Sequence, residues 1–186
     1  AILASGVPQV ALAQDSGPSL IRDTEIEEIL HHDADPIFTA AGLDARNVRI
    51  LIIGDKSLNA FATQGLQMGL NTGLILQTEN PNQLRGVIAH ETGHLAGGHP
   101  IRSDEMMKAG LKPMILTMGL GILAALAGSA DGAAVLLGNA QYAGALGALG
   151  YSREQESRAD QAGAGFLEAT NQSGRGLVEF FDNFRY

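Results

Sequence analysis

The strongest constraint on this chain is a helix that must be buried although it carries ionisable groups. Asn80-Pro81 is a strong helix start: an N-cap residue, then Pro at the first helical position, where no N–H is needed. Apolar residues follow at Leu84, Val87, Ile88 and Leu95. From Leu84 to Ala96 the only charges, apart from two histidines, are Arg85 and Glu91. A helix so poor in charge belongs in the interior. Within it stands His90-Glu91-Thr92-Gly93-His94. Two His four residues apart lie one above the other on one face, so both imidazoles can reach a single ion. A lone buried Glu needs a partner. A metal and its water supply one, and Glu91 beside them can take a proton from that water. This H-E-x-x-H pattern therefore predicts zinc ligands at His90 and His94, with Glu91 as the catalytic base of a peptide hydrolase. The competing reading is a surface helix with two solvated histidines, and the missing charges argue against it.

A catalytic zinc takes three protein ligands and keeps a fourth position open. In metzincins the third His comes six residues after the second, past a Gly turn. Gly97 fits, but the sixth residue after His94 is Pro100, and His99 is one short. The slip argues against that pattern. His99 is expected to cap the C-terminal end of the helix. The better candidate is Glu156 in Tyr151-Ser152-Arg153-Glu154-Gln155-Glu156-Ser157-Arg158-Ala159-Asp160. Glu156 and Asp160 share a helical face, where like charges repel unless their roles differ. Glu156 on zinc, with Asp160 accepting a hydrogen bond from a ligating His, resolves the conflict. Glu154 is the rival, but Arg158 four residues on pairs it off as a surface ion pair.

These residues resemble the HtpX-like zinc metallopeptidases, the family that includes the CAAX prenyl proteases. The shared pattern is H-E-x-x-H followed at a distance by S-R-x-x-E-x-x-A-D, here Ser152-Arg153, Glu156 and Ala159-Asp160. The chain is most similar to the periplasmic BepA-like branch, through Asn59-Ala60-Phe61, Asn71-Thr72-Gly73-Leu74-Ile75 and Asn80-Pro81-Asn82-Gln83-Leu84. The resemblance covers about Leu20 to Phe184. It implies one zinc per chain on His90, His94 and Glu156, Glu91 as base and Asp160 behind a ligand. It implies protein or peptide substrates, often misfolded or stalled outer-membrane proteins. In such enzymes a strand edge beside the metal pairs with the substrate backbone. By resemblance that role falls to Gln67, Met68, Gly69, Leu70 and Asn71. Many members of the branch continue into tetratricopeptide repeats of about 34 residues each. No such repeat is expected here, so the whole of 20–186 is one peptidase domain.

Composition fits this reading. A net charge of −8 disfavours nucleic acid and acidic membrane surfaces as partners. Without Cys, thiolate ligands are excluded. Residues 1–13 are apolar, small and uncharged, and end in Ala11-Leu12-Ala13 before a polar stretch from Gln14 to Ser19. That resembles a signal-peptide cleavage site, so 1–19 reads as a signal remnant and linker of an exported, periplasmic protein.

The expected fold class is α+β: a mainly helical zincin, of the gluzincin type, with a small sheet beside the metal helix. Asp23 caps a first helix, bent at Asp35-Pro36 and ended by Gly42; His31 and His32 on it read as solvated. Asn47 to Ile53 is a buried strand, and Asn59 to Phe61 and Leu66 to Ile75 are further strand material. Ser173 caps a last helix whose Phe residues are core packing. Residues 113–151 are the second unusual region, because between Lys112 and Arg153 the only charge is Asp131. Three readings compete: a membrane hairpin, buried helices packed through small residues, or a lid over the site. Met114 to Ala130 falls short of the roughly 20 residues that span a bilayer, which favours buried helices with a lid. Beside the endopeptidase stand two other readings: a chaperone-like binding module whose proteolysis is latent, and an inner-membrane peptidase. Tyr151, Arg153, His99 and Asn139 are the candidate oxyanion donors.

Overall fold

A computed structural model describes residues 19–101 and 103–183. Of the expected signal remnant and linker only Ser19 falls among them.

The chain begins with strand β1 (Ser19–Ile21) and helix α1 (Thr24–Ala40). Asp23 caps α1, its carboxylate accepting from the Ile26 N–H, and the helix runs through Pro36. The positive φ of Gly42 (76°) turns the chain away after it. Strands β2 (Arg49–Gly54), β3 (Ala60–Thr63) and β4 (Gln67–Asn71) follow. They form one sheet in the order β1-β2-β4-β3, with β2 and β4 parallel and the two outer pairs antiparallel. Strand β4 ends at Asn71, and the next residues, expected as strand, form helix α2 (Thr72–Gln77). The Thr72 hydroxyl donates to the Asp55 carbonyl, and Gly73 lies so close to Lys56 that a Cβ there would meet its carbonyl oxygen. This contact with the end of β2 turns the chain out of the sheet.

Helix α3 (Pro81–Gly97) begins as Asn80-Pro81 predicts. Asn80 accepts from the Gln83 N–H, and the Gln83 side chain accepts from the Glu79 N–H, so one donor of the first turn and one just before the cap are both satisfied. The helix is central: it packs against α1, β3, α5 and α6. Val87, Ile88 and Leu95 join Leu30, Ile37 and Phe38 of α1 and Ile50, Ile52, Met68 and Leu70 of the sheet in one core. Arg85, the other charge on the helix, is held by Asp33 of α1 at 2.6 Å.

Helices α4 (Ser103–Leu126) and α5 (Ala130–Ala169) form a long antiparallel hairpin, turned at Gly128 with φ 83°. Small residues seat one on the other: Gly110 against Gly144, Gly147 against Ala109 and Pro113, and Gly121 against Leu137. The expectation of burial is met only along that seam. Ile115, Leu116, Leu120, Ile122, Leu123 and Leu126 all face outward and are exposed, as are Val135, Leu146 and Leu149 on α5. Apart from α5, α4 packs on the short 3-10 turn His99–Ile101. The last helix is α6 (Arg175–Asn183), where the Ser173 hydroxyl accepts from the Arg175 N–H. Its Leu177 and Phe180 enter the core, whereas Phe181, expected there as well, is partly exposed.

Candidate metal centre

Two helices cross backbone to backbone at this site. A Cβ on Gly93 of α3 would lie 2.6 Å from the Ala159 carbonyl oxygen of α5, and a Cβ on Gly163 would lie 2.9 Å from the Ala89 carbonyl. Ala89 and Ala159 are themselves fully buried. Small residues on both helices allow an approach that larger side chains would prevent. Glu156 and Asp160 lie beside this crossing on α5, and both side chains reach His90 on α3.

The donor atoms form a compact triangle. The Nε2 atoms of His90 and His94 are 3.1 Å apart, and the Glu156 Oε2 lies 3.4 Å from the first and 3.6 Å from the second. Ligands on a tetrahedral ion at bond lengths of about 2.0–2.2 Å stand roughly 3.3–3.6 Å apart. The triangle therefore has the size such an ion requires, and its donors are the nitrogen and oxygen types zinc accepts. His90 turns its other nitrogen, Nδ1, to the Asp160 Oδ1 at 2.8 Å, which leaves Nε2 for a metal. Burial lowers the pKa of His94 below the ordinary histidine value, favouring the neutral imidazole that coordination needs. Glu154 points elsewhere and pairs with Arg158 at 2.5 Å.

Glu91 is buried beside this triangle. Burial pushes its carboxyl up to about 7, opposed by His90, reinforced by Glu156, and opposed by a hydrogen bond from the Ala62 N–H. That N–H comes from β3. The Asn71 N–H donates to the Asn59 carbonyl, so by the alternation of an antiparallel pair Phe61 and Thr63 bond to β4, while Ala60 and Ala62 turn their backbone groups the other way. Strand β3 is a sheet edge, and one of its outward N–H groups is tied to Glu91.

A cleft of about 510 Å³ opens here, lined by Ala60, Phe61 and Ala62 of β3, by His90, Glu91 and His94, by His99 and Pro100, and by Met106, Tyr151, Ser152, Gln155 and Glu156. A second cavity of similar volume adjoins it across His90 and Glu156, walled by Leu177, Val178, Phe181 and Asp182 near the end of the chain. The Glu156 and Asp160 side chains are more than half exposed, so the site is open to water on the α5 side.

The structure brings His90, Glu91, His94, Glu156 and Asp160 together. It does not bring Gln67–Asn71 to the cleft as a pairing edge. Strand β4 lies between β2 and β3, and Met68, Gly69, Leu70 and Asn71 are buried. The strand beside the site that lies at an edge is β3. Of the four candidate oxyanion donors, Tyr151 and His99 line the cleft. Asn139 donates to the Val135 carbonyl on the hairpin. The Tyr151 hydroxyl donates to Glu105 at 2.8 Å. His99 does not serve as the helix C-cap; Gly98 does, in the left-handed conformation, and His99 turns back to His94.

Sequence reasoning missed Phe181, whose ring stands edge-on to His90 with centroids 5.3 Å apart, and Gln155, a buried polar residue in the cleft wall. The position of Gln155 directly before Glu156 was the available signal for the second.

The chain is similar to several proteins named as proteases. The beta-barrel assembly-enhancing protease of Escherichia coli K12 is 29% identical over 133 residues, covering 70% of this chain and 27% of the relative. That of Yersinia pestis is 30% identical over 141 residues, with coverage of 73% and 28%. A provisionally named counterpart in Vibrio cholerae is 28% identical over 172 residues, with coverage of 90% and 35%. The chain thus spans about a third or less of the length of these curated relatives. Residues 20–186 match peptidase family M48, and the chain belongs to that family.

Proposed function

We propose that the chain is a zinc-dependent endopeptidase domain that cleaves unfolded or misassembled proteins of the bacterial envelope, acting in the periplasm. One observation carries the proposal: a triangle of two imidazoles and a carboxylate, sized for a tetrahedral ion, with a buried carboxyl beside it. His90, His94 and Glu156 would hold zinc, which when bound would supply a Lewis acid that lowers the pKa of a water toward neutrality. Glu91 takes the proton as the water attacks the peptide carbonyl, and returns it to the leaving amine. Asp160 fixes the His90 ring through Nδ1. The Ala62 N–H of β3 favours the ionised form of the Glu91 carboxyl. The backbone of β3 at Ala60 offers an extended substrate a pairing edge, which reads no side chain and suits broad specificity. The names of the relatives support substrates drawn from barrel assembly.

The test is Glu91→Gln in the 186-residue chain, assayed on an unfolded protein. Cleavage should fall on the order of 10²–10⁴-fold while one zinc is retained. Cleavage at the parent rate overturns the mechanism. A zinc-loaded parent that binds unfolded protein and cleaves none of it is a binding module instead.

A second element of the proposal concerns the hairpin. Glu105–Leu126 is long and apolar enough to cross a membrane, about 33 Å at 1.5 Å per residue, and only 6% of its most apolar stretch is buried. From Pro113 on, the exposed side of α4 carries no charge, whereas Glu105, Lys108 and Lys112 are exposed nearer its start. We infer that the outer part of the hairpin enters a lipid bilayer, with the exposed charges at its base and the cleft at the membrane surface. Flotation with phospholipid vesicles should carry the chain upward. A chain that stays with the soluble fraction, monodisperse and without detergent, removes this element and leaves the peptidase intact.

A further inference from the structure

His94 has two ring nitrogens to account for, and only one faces the donor triangle. Its Nε2 lies 3.1 Å from the His90 Nε2. Its Nδ1 lies 2.9 Å from the Nδ1 of His99, with the two rings edge to face at 80°. A metal on the His94 Nε2 leaves the proton of the neutral ring on Nδ1, and that N–H points at His99. We propose that His99 is a positioning residue: its unprotonated Nδ1 accepts the hydrogen bond from the His94 Nδ1–H and so holds His94 in the orientation that coordinates zinc. His99 does for His94 what Asp160 does for His90. This inference rests on the zinc site proposed above.

The local chain is shaped for the contact. Gly98 ends α3 with φ 66°, which reverses the backbone and sends residue 99 back along the helix end. The returning ring packs on Gly97: a Cβ there would stand 2.5 Å from the His99 Nε2 and 2.8 Å from its Cδ2. Gly97 thus leaves the space the imidazole occupies. The proposed role fixes the tautomer. With Nδ1 as acceptor, the His99 proton sits on Nε2. A neutral acceptor differs from a carboxylate in one respect: it orients His94 without adding negative charge to a site that already has Glu91, Glu156 and Asp160.

The experiment uses the 186-residue chain with ¹⁵N-labelled histidine, loaded with zinc. Long-range ¹H–¹⁵N correlation should show His94 protonated at Nδ1 and His99 as the neutral Nε2–H tautomer. His99 protonated at Nδ1, as the other tautomer or as imidazolium, overturns the proposal without any variant. Zinc affinity is then measured by competition with a chromophoric chelator. His99→Leu keeps the bulk and removes the acceptor, and should weaken binding about 10–100-fold. His99→Asn places an oxygen near the former Nδ1 and should recover most of that loss. Equal affinity of His99→Leu and parent, or no recovery in His99→Asn, contradicts the role. If His99→Leu does not fold, the tautomers and the His99→Asn affinity still decide. Failure of the parent to bind zinc at all refutes the proposed function instead, so the two outcomes are separable.

Discussion

Helices α3 and α4 are both rich in apolar residues and poor in charge, yet one is largely enclosed and the other largely exposed. In α3 ten residues are buried, including His90, Glu91 and Thr92. Along α4, Ile115, Leu116, Ile122 and Leu123 are each more than half exposed. The difference lies in what surrounds each helix. Around α3 stand α1, β3, α5 and α6. Small residues let α5 and α6 come to backbone contact with it: Gly93 and Gly163 on one side, Gly86 and Gly176 on the other. Around α4 there is α5 and little else. The same long helix α5 serves both: its last third locks onto α3 and presents Glu156, and its first half pairs with α4. Rigidity where the ligands sit and apolar exposure where they do not are thus properties of two ends of one element.

This contrast can be broken by substitution, beginning where the effect is largest. Ile88→Ala empties a fully buried position on α3 and should cost about 2–5 kcal/mol, read by urea denaturation. Gly163→Val drives a side chain into the Ala89 backbone and should cost about 3 kcal/mol. It should weaken zinc binding too, because the crossing that carries Glu156 and Asp160 opens. Asp160→Asn leaves the crossing intact and should weaken zinc binding about 10–100-fold with little change in stability. Leu123→Ser on the outer face of α4 should change stability in water by less than about 0.5 kcal/mol. Yet the same substitution should reduce vesicle binding. If Leu123→Ser proves as destabilising as Ile88→Ala, the hairpin is packed against protein and the two helices do not differ as described.

Much of the candidate metal site is legible because its information is local. The four-residue spacing of His90 and His94 carries their shared face, Asn80-Pro81 carries the start of their helix, and Glu156 with Asp160 repeats the spacing on a second helix. What was not legible depends on distant pairing. Gln67–Asn71 reads as a strand, but nothing within it shows that β2 and β3 occupy both its sides. The edge therefore falls to Ala60–Thr63, a strand too short to stand out. Thr72–Gln77 continues the apolar run of β4, and its turn into helix rests on contacts with Asp55 and Lys56 at the end of β2. The hairpin misled for a different reason. Met114 to Ala130 is short for a bilayer span and so reads as buried helices packed through small residues, whereas the small residues line one seam and leave the other faces open. His99 was judged by its sequence spacing alone, and only the left-handed turn at Gly98 brings its ring back to His94.

We propose that His90, His94 and Glu156 hold one zinc across the α3–α5 crossing. Zinc K-edge absorption on the chain loaded with one equivalent tests it most directly, beside the Glu156→Gln variant. The account predicts a shell with two imidazoles and one carboxylate in the parent, and loss of the carboxylate contribution in the variant. A parent that binds no zinc, or a shell unchanged by Glu156→Gln, would contradict it.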